Sequence, residues 1–357
     1  MIRLTDKQKL VFYSLIRWPA LNDVEISEKI DVDRRTVTSI RKNLKTKGMY
    51  DTLLIPDFEV LGQELITITY GSFKPFPKGP IKTKSLQDRV NDYPELIYSF
   101  ISQTDFLNMY LSERYTDFKV VQDQLSKLYN KYVNIEEVKV VHFPLELSKL
   151  IFMFDFAPSL KHTFDLEIEE EAEESHEEKK DKELKKLSEK EKLVFYALMR
   201  MPEAVDGKIA EMTGISRPTV NSIKERLHHE GIIKELKIPN MMELGFELIV
   251  LSHNTLDLEF MEKVYVSERI MQKHTLPTQP YFLITNSMEP ESVLFLIFEN
   301  FTKYKECQDQ IATFAKGLKF APEQVNELLF PVEKLALIKN LNFAPVVKKT
   351  FELDVNF

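Results

Sequence analysis

Two short segments carry the residue types that bind phosphates and base edges. Residues 34–44 read Arg-Arg-Thr-Val-Thr-Ser-Ile-Arg-Lys-Asn-Leu, and residues 217–227 read Arg-Pro-Thr-Val-Asn-Ser-Ile-Lys-Glu-Arg-Leu. At helical spacing the valine, isoleucine and leucine of each segment share one apolar face, which leaves a basic and polar face opposite. The candidate DNA contacts are therefore Arg34, Arg35, Thr36, Thr38, Ser39, Arg41, Lys42 and Lys45 in the first segment, and Arg217, Thr219, Asn221, Ser222 and Lys224 in the second.

Residue types suited to enzymatic or metal chemistry are sparse. The seven His are scattered, without a His-x₃-His or Ser/His/Asp grouping, and His142 and His253 fall in predicted strands, at the edge of the core. A single cysteine, Cys307, excludes a disulfide framework and a cysteine-based zinc site within one chain. Only 9 Gly are present, which argues against Gly-rich phosphate-binding loops. We therefore expect no catalytic residue, no metal and no cofactor.

The elements that must position the two segments follow from start and stop signals. Thr5 with Gln8, and Ser188 with Glu191, fit capping boxes that begin a first helix in each half. A short second helix and a tight turn precede each candidate segment, and glycines at positions 48 and 231 end it. An apolar strand follows. This order is typical of a winged helix-turn-helix whose third helix enters the major groove of DNA.

An internal repeat places this pattern in the chain twice. Residues 4–66 and 187–249 align without a gap at an offset of 183, with 28 of 63 positions identical. Weaker matches extend the repeat to about Leu166 and Leu353, and the acidic stretch 167–186 separates the copies. Downstream of each predicted head, the pattern indicates strand, helix, two strands, helix and strand, followed by an additional segment (Leu145–Ala157 or Val332–Ala344) and a closing strand.

The heads resemble the Lrp/AsnC family in the stretches 215–220, 227–233 and 239–245. That resemblance implies an α+β fold in which each winged helix-turn-helix is followed by a ferredoxin-like effector or dimerisation domain. The expected boundaries are 1–62 and 63–166 for the first pair, 167–186 for an acidic linker, and 187–245 and 246–357 for the second pair. The resemblance also implies a sequence-specific DNA-binding transcriptional regulator with both heads on one chain, a covalent pseudo-dimer.

The partner expected from this resemblance is double-stranded DNA. A small-molecule effector at the ferredoxin-like domains and self-association remain open alternatives. The net charge of −8 does not oppose DNA binding, because the stretch 165–186 alone holds 11 acids against five Lys, while residues 33–47 hold six basic residues and one acid. No run of apolar residues is long enough for a membrane span, and the polar start is unlike a signal peptide, so we expect a cytoplasmic protein with no membrane partner.

Two other functions compete with that of a regulator. Some proteins with this domain pair resemble sirohaem decarboxylases, which need a motif bearing histidine and arginine in the effector sheet. The matching strand, Glu95–Ile101, contains neither residue, so no enzyme is expected. The second rival is an architectural or protein-binding scaffold that uses its winged helices without reading a sequence.

Overall fold

The computed structural model describes residues 3–74, 83–131, 134–168, 187–255, 280–286, 291–317 and 324–355. Over these residues the protein is a mixed α+β fold with antiparallel sheets, as the sequence predicted. The expected acidic linker lies outside the described residues, apart from its first two residues, and so does the helix that the pattern predicts after the first effector strand of the second half, at 262–273.

The first half begins with a three-helix head and continues into a sheet. The capping box of Thr5 and Gln8 is present at the start of the first helix, and Asn22 and Asp33 cap the second and third helices. The elements are α1 (Asp6–Arg17), α2 (Asp23–Ile30), α3 (Arg34–Thr46), β1 (Tyr50–Pro56), β2 (Leu65–Phe73), α4 (Thr83–Val90), β3 (Leu96–Ile101), β4 (Asp105–Ser112), α5 (Tyr115–Tyr129), β5 (Ile135–Pro144), β6 (Ser148–Met153) and α6 (Ala157–Thr163).

The second half follows a similar order. Gly231, with φ of 67°, ends its third helix in the left-handed conformation that the sequence predicted there. Its elements are α7 (Glu189–Arg200), α8 (Asp206–Thr213), α9 (Arg217–His229), β7 (Ile233–Pro239), α10 (Met241–Leu244), β8 (Leu248–Thr255), β9 (Phe282–Asn286), β10 (Glu291–Phe298), α11 (Phe301–Gly317), β11 (Gln324–Pro331), β12 (Ala336–Lys339) and α12 (Ala344–Thr350).

Each half contributes one strand to the sheet of the other. The first sheet has the order β12-β3-β4-β2-β5 and the second has the order β11-β8-β10-β9-β6. Strand β12 pairs with β3, and β6 pairs with β9, so the segment after β5 and the segment after β11 each cross to the opposite sheet. The closing strand expected after each of these segments is wrong: α6 and α12 occupy those positions, each with a proline in its first turn, where a missing N–H costs no helical bond.

The two sheets and both heads share one apolar core. Inward-facing side chains of β2, β4, β8 and β10 belong to the same buried cluster as the apolar faces of α1 and α7. Phe100 of the first sheet and Phe330 of the second meet edge to face, 4.9 Å between ring centroids. The halves are therefore joined by a continuous core rather than by a surface contact.

The heads are also joined through their strands. All seven residues of β1 pair with β7 in an antiparallel ladder that runs from Tyr50 opposite Pro239 to Pro56 opposite Ile233. The apolar strands that the sequence predicted after the two third helices therefore form a single two-stranded sheet between the heads. Across the described residues, no helix combines the length and apolar character that a bilayer crossing requires.

Candidate ligand-binding cleft

The pairing of β1 with β7 brings the two heads together around a cleft of about 740 Å³. Both third helices, α3 and α9, line this cleft, together with the paired strands and the loop that precedes α8. Its volume lies in the range of small-molecule and cofactor sites. The cleft therefore has room for a ligand much larger than a single amino acid.

Cationic side chains from both halves dominate the wall of the cleft. Six Lys or Arg side chains face four acidic ones; the cations are Arg41, Lys42, Lys45, Arg217, Lys224 and Lys237, and the acids are Asp23, Glu203, Asp206 and Glu235. Positive charge thus exceeds negative charge here, although the whole chain has a net charge of −8. A concave site lined with one dominant sign of charge attracts ligands of the opposite sign.

Several of these cations are held by acids of their own head. Arg41 Nε lies 2.6 Å from Asp23 Oδ1, and its guanidinium also donates to the Leu21 carbonyl at 3.0 Å. The Thr38 hydroxyl donates to the second oxygen of Asp23 at 2.6 Å. In the other head, Lys224 Nζ lies 3.3 Å from Asp206 Oδ1. These contacts hold the third-helix side chains against the second helix of each head.

A second set of contacts bridges the heads. The Thr52 hydroxyl of the first half donates to Glu203 Oε1 of the second half at 2.5 Å. Lys45 Nζ, also from the first half, forms an ion pair with the same oxygen at 2.5 Å. Burial raises the pKa of Glu203, but the bonds from Lys45 and Thr52 outweigh burial, so its net pKa is below the ordinary value. Lys237 is buried and donates to the Pro19 carbonyl across the interface and to Glu235. Burial lowers the pKa of Lys237.

Two cations of the cleft are not engaged in this way. Lys42 and Arg217 are exposed, and neither has an ion-pair partner within the described part of the chain. One comes from each half, so they face the cleft from α3 and α9. They are therefore available to a ligand without the loss of an internal contact.

The structure divides the thirteen side chains that the sequence singled out. Six of them line the cleft: Thr38, Arg41, Lys42, Lys45, Arg217 and Lys224. The other seven do not: Arg34, Arg35, Thr36, Ser39, Thr219, Asn221 and Ser222. Asn221 donates to Glu225 on its own helix at 2.9 Å, and the Thr219 hydroxyl is bonded to Ser216 at 2.8 Å.

Sequence reasoning missed the other half of the cleft. None of Asp23, Glu203, Asp206 and Lys237 was among the candidate residues that the sequence singled out. The available signal was Lys237 itself, a charged residue between the apolar residues Leu236 and Ile238. Within the described residues, no group of three or more His, Cys, Asp or Glu is arranged to hold a metal ion.

Comparisons with known proteins give the fold over nearly the whole chain. No family model and no curated protein matches. The crystal structure of the siroheme decarboxylase NirDL in co-complex with an iron-uroporphyrin III analogue covers 98% of this chain and 98% of its own, with 11% identity and a TM-score of 0.50. A second NirDL structure covers 98% of this chain and 99% of its own, with 10% identity and a TM-score of 0.49. AsnC of E. coli covers 41% of this chain and 92% of its own, with 12% identity and a TM-score of 0.32.

The full-length match overturns the function expected from the sequence. The chain shares its overall fold with the siroheme decarboxylase NirDL over 98% of its length. The expectations of a DNA-binding regulator, of double-stranded DNA as the partner and of no enzyme are therefore wrong, and so is the scaffold alternative. The physical reason for the error lies in the third helices, whose basic faces turn partly inward and line a shared cleft. The Lrp/AsnC-like order of elements is nevertheless present in the described residues.

Proposed function

We propose that this protein is an enzyme that binds a carboxylated iron tetrapyrrole in the cleft between its heads and removes carboxyl groups from it. The observation that carries the proposal is the cleft itself, about 740 Å³ in volume and lined by six cationic side chains from both halves. The shared fold with a siroheme decarboxylase crystallised with an iron-uroporphyrin III analogue supports this choice of ligand class. The strand Glu95–Ile101 holds neither the histidine nor the arginine of the sirohaem decarboxylase motif, so the proposal assigns the chemistry to the cleft between the heads and not to that strand.

The charges of the cleft suit a ligand that carries several carboxylates. Lys42 and Arg217 offer free cations, and arginine binds carboxylates through two parallel hydrogen bonds. Arg41, Lys45 and Lys224 already hold protein carboxylates, so their geometry is suited to the same group on a ligand. A polycarboxylate would exchange with Asp23, Glu203 or Asp206 at these positions.

Decarboxylation breaks the bond between the carboxyl carbon and its neighbour and leaves that neighbour in need of a proton. We assign this role to Tyr50, a phenol that lines the cleft. Burial is the largest cause that raises the pKa of Tyr50, so the hydroxyl is protonated at neutral pH. Lys45 Nζ lies 5.1 Å from the centre of its ring, which places a cation beside the proposed donor.

We infer further that the chain is a tandem fusion of two Lrp/AsnC-like units, with boundaries near 1–62, 63–166, 187–245 and 246–357. The constant offset of 183 between the heads and the matching order of elements support this inference. The fusion accounts for a single cleft built from two different heads. It also accounts for the exchange of β6 and β12 between the sheets.

Turnover of a tetrapyrrole tests the proposed reaction. The chain is incubated with siroheme, and the tetrapyrrole is followed by mass spectrometry for the loss of CO₂. We expect successive losses with the wild-type chain and a loss of rate of at least about 10²-fold for Tyr50→Phe, the size typical of a general acid. No CO₂ loss from siroheme or from iron-uroporphyrin III by the wild-type chain would refute the proposal.

A further inference from the structure

A hydrogen-bonded polar pair lies in the apolar interface between the two sheets. Tyr70 of β2 and His253 of β8 are separated by 183 residues, the offset of the repeat, so they occupy equivalent positions in the two halves. The Tyr70 hydroxyl and His253 Nδ1 are 2.6 Å apart, and both residues are buried. Their strand neighbours on β4 and β10, Leu107 and Val293, are buried and apolar.

A second pair continues the contact on the neighbouring strands. Lys139 of β5 lies opposite Tyr70 in the register, and Asn326 of β11 lies opposite His253. Lys139 Nζ donates to Asn326 Oδ1 at 2.5 Å. These two residues are also equivalent, because Lys139 lies as many residues before the end of β5 at Pro144 as Asn326 lies before the end of β11 at Pro331. We refer to Tyr70, His253, Lys139 and Asn326 as the polar layer.

Glu291 completes the hydrogen bonding of the histidine. His253 Nε2 lies 2.7 Å from Glu291 Oε1, at the partly exposed edge of the interface. The arrangement is satisfied when Nε2 donates to the carboxylate and Nδ1 accepts from the Tyr70 hydroxyl. Each polar atom of the buried pair then has a partner, which is the condition under which polar groups are tolerated in a core.

Both contacts of the polar layer join unlike halves: the Tyr70 hydroxyl meets the His253 ring, and the Lys139 ammonium meets the Asn326 amide. If two copies of the first half faced each other, Lys139 would meet Lys139 and lose its amide acceptor. If two copies of the second half faced each other, His253 would meet His253 and lose the Tyr70 hydroxyl, and Asn326 would meet Asn326 and lose the Lys139 ammonium. We propose that the polar layer selects pairing of the first half with the second and disfavours pairing of like halves from two chains. This inference rests on the tandem architecture and not on the tetrapyrrole chemistry.

The heads show the same complementarity. Glu203 binds Lys45 across the β1–β7 sheet, whereas the positions equivalent to these two, at the offset of 183, hold Ala20 and His228. Pairing of two first heads would therefore leave Lys45 without this carboxylate. Specificity of this kind arises when wrong pairings lose contacts or bring like charges together.

An exchange of residues within the full-length chain tests the polar layer. Asn326→Lys places a second ammonium group against Lys139, and the double variant Lys139→Asn/Asn326→Lys restores the pair in the opposite direction. We expect the single variant to lower the urea midpoint of unfolding and the double variant to recover most of the loss. A double variant as unstable as the single one would overturn the proposal, because a role of Lys139 independent of Asn326 would then remain.

Refolding tests the choice of partner directly. A protease recognition sequence is inserted between residues 169 and 186 of the full chain, the folded protein is cleaved, and the two fragments are unfolded and refolded together. Native mass spectrometry should show almost only complexes of unlike fragments. Random assembly would instead give about half mixed complexes, and that result would overturn the proposal. The outcome involves no ligand, so it is independent of whether the cleft binds a tetrapyrrole.

Discussion

Replacement of Glu203 by glutamine should strengthen ligand binding while it weakens the protein. The Glu203 carboxylate binds Lys45 and Thr52, so it occupies two groups that face the cleft. Glutamine has nearly the same shape but no charge, and it releases Lys45 for a carboxylate of the ligand. The variant therefore separates the role of Glu203 in joining the heads from its competition with an anionic ligand.

The size of both effects follows from exposure. The side chains of Lys45 and Glu203 are 36% and 48% exposed, so solvent screens the ion pair and its contribution is below about 1 kcal/mol. The loss of stability at neutral pH should therefore be less than about 1 kcal/mol, and the gain in affinity about two- to fivefold. Because the net pKa of Glu203 in the folded chain is below its ordinary value of 4.5, its contribution is complete above that value. It is lost as the pH falls through the lower pKa of the folded state.

Two measurements check this reasoning. Urea unfolding of the wild type and of Glu203→Gln at neutral pH and below pH 4.5 should show a stability gap that closes in acid. Absorbance titration with iron-uroporphyrin III should show tighter binding to the variant. Weaker binding to Glu203→Gln, or a stability gap that is independent of pH, would refute the assignment of Glu203 as a competitor for Lys45.

Three further predictions concern packing and reactivity. A Cβ at Gly71 would lie 1.9 Å from the Glu137 carbonyl oxygen, so Gly71→Ala should lower the free energy of unfolding by several kcal/mol, as overpacking of a core does. The control is Gly207→Ala, where an added Cβ meets open space, and urea unfolding should show it to be neutral or slightly stabilising. Burial raises the pKa of Cys307 to about 11, so a thiol reagent at pH 8 should modify the folded chain far more slowly than the urea-unfolded chain, and equal rates would contradict its burial. Lys237→Met removes a buried ammonium that bridges the heads, and urea unfolding should show a loss of about 1–3 kcal/mol; an unchanged midpoint would contradict the bridge.

Local signals in the sequence were sufficient to predict the elements of the heads. The Thr5–Gln8 capping box and the glycine at position 48 act over a few residues, and the structure confirms both of them. The buried faces of α3 and α9 were also correct, since their apolar residues follow the helical period. These features depend on neighbours in the chain, which a single sequence displays.

The contacts between the halves were not accessible in the same way. The pairing of β1 with β7 joins residues about 180 positions apart, and the exchanged strands β6 and β12 carry no signal that names their partners. A basic polar helix face can bind DNA or line a cleft for an anionic ligand, because DNA and such a ligand both carry negative charge. The β1–β7 pairing and the contact of Glu203 with Lys45 place the two faces around one cleft, and both depend on residues far apart in the chain.

A binding titration with matched variants tests the central claim most directly. Iron-uroporphyrin III is titrated into three proteins: the wild type, the cleft variant Lys42→Ala/Arg217→Ala and the control Arg34→Ala/Arg35→Ala. Lys42 and Arg217 line the cleft, whereas Arg34 and Arg35 are exposed on α3 but do not line it. We predict saturable binding that weakens at least about tenfold in the cleft variant, since two charge-assisted contacts are lost, and that is unchanged in the control. Equal affinity for all three proteins, or a loss confined to Arg34→Ala/Arg35→Ala, would contradict the assignment of the cleft as the binding site.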